Sequence, residues 1–207
     1  LLIFPIIKQA YDAENEGKTE IDAVVWEDAY RCANTIQQHE LAGKLIDHNQ
    51  GVAEVSMIAK CPYTGLMLKV RFDFLRFDCI AVDVKTTKDA SPEEFSRQFG
   101  RLRYDIQQVM YTYVAQLLGV AIKAFPFVTA EFAEADICEV YELDPEDVEY
   151  SIQLFAHQMQ KLEKSIKTNT YTGYTEAEGA TYIKLPRYTK PSLPDNASNP
   201  LVAALHN

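Results

Sequence analysis

In the stretch RFDFLRFDCIAVDVKTT, Asp73 and Asp83 stand at the edges of two apolar runs, and Lys85 follows Asp83 by two positions. Burying a charge is costly unless it is paired, so these residues belong either to a solvated strand edge or to a chemical site. If the two runs, 66–77 and 79–85, form a tight antiparallel hairpin turning near Asp78, Asp73 falls opposite Asp83 and Arg71 opposite Lys85. Directly paired residues have Cβ atoms about 4.5–5.5 Å apart, where like charges destabilise. A divalent cation between the carboxylates resolves that conflict. Asp83 and Lys85 project from one face of their strand, which brings an ammonium beside the cation. Hard oxygen donors suit Mg²⁺ or Mn²⁺. Water activated there, next to a lysine and a phosphodiester, makes hydrolytic phosphoryl chemistry. Glu54 on the preceding run, with Gln107 and Tyr111 on a later one, joins the constellation.

The elements that must hold these residues follow from periodicity. IDAVVWEDAYRCANTIQQHELAGKLID carries apolar residues at Val25, Ala29, Cys32, Ile36, Leu41 and Leu45, predicting a helix over one face of a core. VAEVSMIA reads as a strand and CPYTG as a turn. In LMLKVRFDFLRF, Leu68, Val70, Phe72 and Phe74 alternate with Lys69, Arg71 and Asp73, predicting a strand with one buried face. CIAV is continuous, as expected of a central strand covered on both faces. SPEEF opens a helix with Ser91 as N-cap and Pro92 at its first position, predicted to run to about Leu118 with a break at Gly100. KAFPFVTAEF and ICEVYEL read as strands, and the run from Asp144 and Pro145 as a long amphipathic helix. The expected fold class is α/β, a mixed central sheet flanked by helices. A loose tail is expected over 190–207, where proline, asparagine and serine accumulate.

At these residues the chain resembles the PD-(D/E)XK nuclease superfamily, with its restriction-endonuclease-like core, and within it the RecE (exonuclease VIII) type. The likeness runs from AEVSM through TGLMLKVRFD and IAVDVKTTKDASPEEF to YDIQQVMYTY, and resumes weakly at YIKLPRYT. It implies one nuclease domain over residues 1–189. The implied activity is metal-dependent 5′-to-3′ digestion of one strand of linear duplex DNA, leaving 3′ overhangs for recombination. It further implies a single-strand annealing partner of the RecT type and a ring-shaped homo-oligomer. Carried onto this sequence, the resemblance makes Asp73 and Asp83 ligands of Mg²⁺, which Mn²⁺ can replace, with the Val84 carbonyl as third ligand. Glu54 would hold a coordinated water or a second ion. Lys85 would orient the attacking water, while Gln107 and Tyr111 match the family's QxxxY helix signature and lie near the DNA backbone. Two positions depart from the pattern. Phe72 stands where members commonly carry proline, and no histidine precedes His39, although members carry one in an upstream helix.

Composition narrows the alternatives. The chain has 207 residues and a net charge of −10, which argues against general adhesion to nucleic acid. Yet Lys69, Arg71, Lys85, Lys88, Arg97, Arg101 and Arg103 cluster around the motif, so an acidic exterior with a basic DNA path is expected. Cys32, Cys61, Cys79 and Cys138 form no CxxC pair, which speaks against zinc and iron–sulfur sites. A reducing cytoplasm is the expected compartment. The opening LLIFPII is too short for a membrane span, and the first residue, Leu1, suggests a natural protein extending further upstream. The competing readings are a RecB- or Cas4-like nuclease, an endonuclease of the same superfamily, and a non-catalytic DNA-binding protein of the same fold.

Overall fold

The run Leu68–Val70–Phe72 is buried and its charged neighbours are not, which fixes the inner face of strand β2, Met67–Arg76. In the computed structural model, residues 14, 16–18, 21–132, 136–171, 173–174 and 180–187 are described. The chain divides into two units, Leu1–Lys164 and Ser165–Asn207. The second contributes, among described residues, the end of one helix and short irregular pieces. The expected domain boundary after residue 189 and the tail over 190–207 lie outside the described residues.

The first unit holds a five-stranded sheet in the order β1-β2-β3-β4-β5. Its strands are β1 Gly51–Lys60, β2, β3 Ala81–Thr87, β4 Phe127–Glu131 and β5 Cys138–Tyr141. β1 to β3 form an antiparallel meander, β3 and β4 are parallel, and β4 and β5 are antiparallel. The parallel step needs a crossover, and the helices α3, Pro92–Leu102, and α4, Tyr104–Leu117, supply it. The helices α1, Ala23–Gln38, and α2, Glu40–Leu45, precede the sheet. The last helix, α5 Pro145–Thr168, opens with Pro145 after Asp144, whose carboxylate accepts from the Glu146 N–H at 2.8 Å. This is the mixed, helix-flanked sheet expected from the pattern.

Each face of the sheet has its own core. Leu68, Val70, Phe72, Ala81 and Phe127 pack with Phe95 of α3 and with Val114 and Ala115 of α4. Val82, Val128 and Ala130 pack on the other side with Cys32, Ile36 and Ala42 of the first two helices. Ala81 and Val82 thus serve opposite cores, the arrangement expected of the continuous apolar run.

Three local expectations are corrected. The single first helix breaks at His39, whose extended backbone (φ −70°, ψ 128°) lets Nδ1 accept the Ala42 N–H at 3.1 Å. Ile36, Cys32 and Ala42 are buried, whereas Val25 and Leu41 are 58% and 50% exposed. The step of five from Ile36 to Leu41 does not fit one helix face. The break between α3 and α4 falls at Arg103, not Gly100. Arg103 adopts the left-handed region (φ 58°), and its guanidinium holds Asp105 at the start of α4. Phe74, expected beside Phe72, belongs to the opposite core. Pairing of β1 with β2 keeps one register on both sides of that point, Ala53 with Phe74 and Val55 with Phe72. No residue is inserted; instead Glu54, between them, takes the left-handed region at φ 57°. Such a conformation costs about 1–3 kcal/mol, against about 1.5–3 kcal/mol for each phenylalanine so buried.

Candidate active site

Asp73 lies where β2 changes face, and Asp83 on β3 beside it. The pairing of β2 with β3, Phe74 with Val82 and Leu75 with Ala81, ends next to Asp73 and Asp83. Side chain replaces ladder at this point, because Asp73 Oδ2 accepts the Val84 N–H at 2.8 Å. The Asp83 N–H points the other way, to Pro126 O on the approach to β4. N–H and C=O of one strand residue leave on the same edge, so the Val84 carbonyl faces the β2 side, where Asp73 sits.

Asp83 is only 1% exposed. Gln107 of α4 donates from Nε2 to its Oδ1 at 2.5 Å, and the Gln107 Oε1 accepts from Lys85 Nζ at 3.0 Å. Lys85 Nζ also stands 2.5 Å from Asp83 Oδ2 as an ion pair. Among the described residues that buried oxygen meets no donor other than the Lys85 ammonium. Burial pushes the Asp83 carboxyl above its usual value, and the Asp73 charge adds to this; Lys85 and Gln107 oppose it. A buried carboxylate short of donors beside a second carboxylate is a place that gains from a dication.

Glu54 is not brought into this group. Its carboxylate pairs with Arg71 Nε at 2.9 Å on the exposed side of β1 and β2. Among the described residues no three His, Cys, Asp or Glu side chains converge as a metal cluster. The donor set that remains, Asp73, Asp83 and the Val84 carbonyl, still fits Mg²⁺, which is commonly held by one or two carboxylates and keeps several waters.

The basic residues are less free than their count suggests. Arg97 bonds Glu93 at 2.5 Å and also Glu94, Arg71 bonds Glu54, and Arg103 bonds Asp105. Lys69, Lys88 and Arg101 carry no ion pair among the described residues. Tyr111 packs its ring edge-on against Phe72, with centroids 5.1 Å apart, and against Phe125. Its ring therefore lies in the core beneath the site. Two contributions escaped the sequence reading. Gln107 bridges Lys85 and Asp83 directly. Tyr104, one helical turn before Gln107, carries Lys85 Nζ over its ring at 4.3 Å. The i, i+3 spacing of Tyr104 and Gln107 on one helix face was the available signal.

Residues 6–186 match the family model described as a PDDEXK-like domain of unknown function, DUF3799. The chain belongs to this family. It is accordingly a PD-(D/E)XK-like domain. No curated protein sequence matches it significantly. In three dimensions it is similar to a candidate exonuclease from Eubacterium rectale, with a TM-score of 0.60 at 15% identity, covering 87% of this chain and 70% of that one. A weaker likeness, TM-score 0.31 at 17% identity, joins 78% of this chain to 84% of an alkaline exonuclease from Laribacter hongkongensis.

Proposed function

We propose that this domain is a metal-dependent exonuclease that hydrolyses phosphodiester bonds of one strand of linear duplex DNA from its 5′ end. The observation that carries the reading is Asp83: buried, beside the charge of Asp73, and with Oδ2 held by the Lys85 ammonium alone. Asp73, Asp83 and the Val84 carbonyl would hold Mg²⁺, or Mn²⁺ in its place. When bound, the ion supplies Lewis-acid activation of the phosphoryl group and of water.

The chain's own residues do the rest. Lys85 provides a fixed cation for charge developing on the phosphate oxygens and orients the attacking water. Gln107 holds both Lys85 and Asp83 in register through its two amide atoms. The αβ crossover that carries Gln107 therefore sets the geometry of the charges on β3. Lys69, Lys88 and Arg101 are available to phosphates. Arg71 and Arg97 can join them, because exposed ion pairs are worth only about 0–1 kcal/mol and exchange partners readily. Contacts of this type carry no sequence information.

The 3′ overhang left by such digestion would serve a RecT-type annealing partner, in the cytoplasm and from a ring-shaped oligomer. Among the described residues no helix is long and apolar enough to cross a membrane. With Mg²⁺, linear duplex is expected to shorten from its 5′ ends without a fixed cleavage pattern, and binding to weaken steeply with salt. Covalently closed circular duplex in the same tube should survive. Cutting of the circle at a comparable rate rejects the exonuclease reading in favour of an endonuclease; no metal-dependent cleavage of either substrate rejects nuclease activity.

A further inference from the structure

We infer that Tyr104 is a positioning residue that seats the Lys85 ammonium through its ring face; its catalytic consequence rests on the nuclease reading, its geometry does not. Lys85 Nζ lies 4.3 Å from the Tyr104 ring centroid, inside the range of about 6 Å in which a cation is attracted to an aromatic face. The ring is itself clamped. It stacks on Phe127 at 6.2 Å with a 20° tilt, and meets Phe99 edge-on at 5.6 Å. Gln98 Nε2 donates to the phenolic oxygen at 3.4 Å, and Gln98 Oε1 accepts from the Thr87 hydroxyl at 3.0 Å. The left-handed turn at Arg103 starts α4 at Tyr104, and so sets where this ring stands.

The three partners of Lys85 differ in what a dication would do to them. Asp83 would turn its charge toward the ion and attract the ammonium less. Gln107 is bonded to Asp83 and would adjust with it. The Tyr104 face offers no oxygen to the ion and no acceptor for the lysine's proton. It keeps the ammonium aimed while Asp83 is engaged. A carboxylate in its place would compete for the metal.

Two readouts test this. In chain labelled at the lysine Cε, the methylene next to Lys85 Nζ, identified by its loss in Lys85→Ala, should be shifted upfield by the ring current. Tyr104→Phe should keep that shift and Tyr104→Leu should lose it. Absence of the shift in the unaltered chain overturns the seat by itself, whether or not any variant folds.

With saturating Mg²⁺ and linear duplex, Tyr104→Leu should lower kcat by roughly three- to thirtyfold, the range expected of a cation–π contact. KM should stay within about twofold, and Tyr104→Phe should be close to the unaltered chain. In a Lys85→Ala background, Tyr104→Leu should have no further effect, since the two act as a unit. Equal losses in Tyr104→Phe and Tyr104→Leu, or an undiminished loss without Lys85, overturn the inference. Failure of the unaltered chain to cleave overturns the nuclease reading instead, and the upfield shift still decides the seat.

Discussion

Two buried aspartates show how differently one side chain can be housed. Asp105, at the start of α4, accepts from Arg103 Nε at 2.9 Å and Nη2 at 2.5 Å, and from the Ser151 hydroxyl at 2.9 Å. Burial raises its pKa, but Arg103, Ser151 and the Ile106 N–H outweigh that, so its carboxyl is held below the usual range. Asp83 is more deeply buried, and its carboxyl is pushed up because burial is not outweighed. One acid takes three side-chain hydrogen bonds across both oxygens and ties α4 to α5. The other is left short beside a second carboxylate. A structural acid is satisfied at rest; on the proposed reading, Asp83 is satisfied by the ion that binds.

The sharpest way to break that comparison is to remove one charge from each site. Asp83→Asn should lower Mg²⁺-dependent cleavage by about three orders of magnitude while leaving the metal-free fold as stable or more so. Asp105→Asn should leave cleavage chemistry in place and destabilise by about 1–3 kcal/mol, since Arg103 and Ser151 lose their acceptor. Urea unfolding of the two variants beside the unaltered chain checks this. The pH dependence should run in opposite senses. The folded-state value of Asp83 is raised, so its stabilising contribution is present at low pH and lost as pH rises; Asp83→Asn gains relative stability over that rise. The value of Asp105 is lowered, so its contribution is lost as pH falls, and Asp105→Asn closes its deficit in acid. Normal cleavage by Asp83→Asn would end the metal-site reading.

Lys85 and Arg103 extend the contrast to the cations. Lys85→Ala should retain Mn²⁺ binding in calorimetry and lose turnover by roughly a hundredfold, because the ammonium acts on the reacting group. Arg103→Ala should cost stability with little change in turnover. Collapse of metal affinity in Lys85→Ala would make the lysine structural and erase its difference from Arg103.

How much of this could be read in the sequence depended on the range of the interaction. The hairpin centred on Asp78 was legible, since two apolar runs and a polar turn fix the register, and Phe74 pairs with Val82 accordingly. The helix–strand order followed from periodicity for the same local reason. The change of face at Asp73 was not legible, because it depends on a left-handed Glu54 across the ladder, on a residue with no sequence signal for that backbone. The break at Arg103 beat the obvious Gly100, because a guanidinium–carboxylate pair and Ser151, 46 positions from Asp105, hold it there. Gln107 was identified by its spacing to Tyr111. That its amide would join Lys85 to Asp83 required knowing where the crossover lays α4. The pairing within the basic cluster was not legible, since sequence shows the charges but not that Arg97 meets Glu93 and Glu94 and Arg71 meets Glu54.

Cys61 provides the smallest and most exacting version of the comparison, being a buried acid served as well as Asp105 but with sulfur in place of oxygen. It ends the first core, 3% exposed, with its backbone closing the turn to Leu66 and Gly65. Its Sγ lies 3.3 Å from the Tyr113 hydroxyl. Burial alone would raise the thiol, yet the Thr64 hydroxyl, the Tyr113 hydroxyl and the backbone N–H groups of Thr64 and Tyr63 bring it down to about 7. The linked phenol of Tyr113 is pushed up to about 12, chiefly by burial and then by Cys61. A folded-state value below the unfolded one means that the stabilisation is present above the unfolded value and is lost as pH falls through about 7. Between pH 7 and 9 the unaltered chain should therefore gain stability relative to Cys61→Ala, and below pH 6 the difference should be flat. Tyr113→Phe removes one of the donors and should shrink that gain without abolishing it, as Thr64 and the backbone remain. Chemical unfolding at a series of pH values in metal-free buffer measures both. A Cys61→Ala difference that runs the other way, with the unaltered chain losing relative stability as pH rises, would show that the donors around the sulfur do not outweigh its burial, and would place Cys61 with Asp83 instead of Asp105.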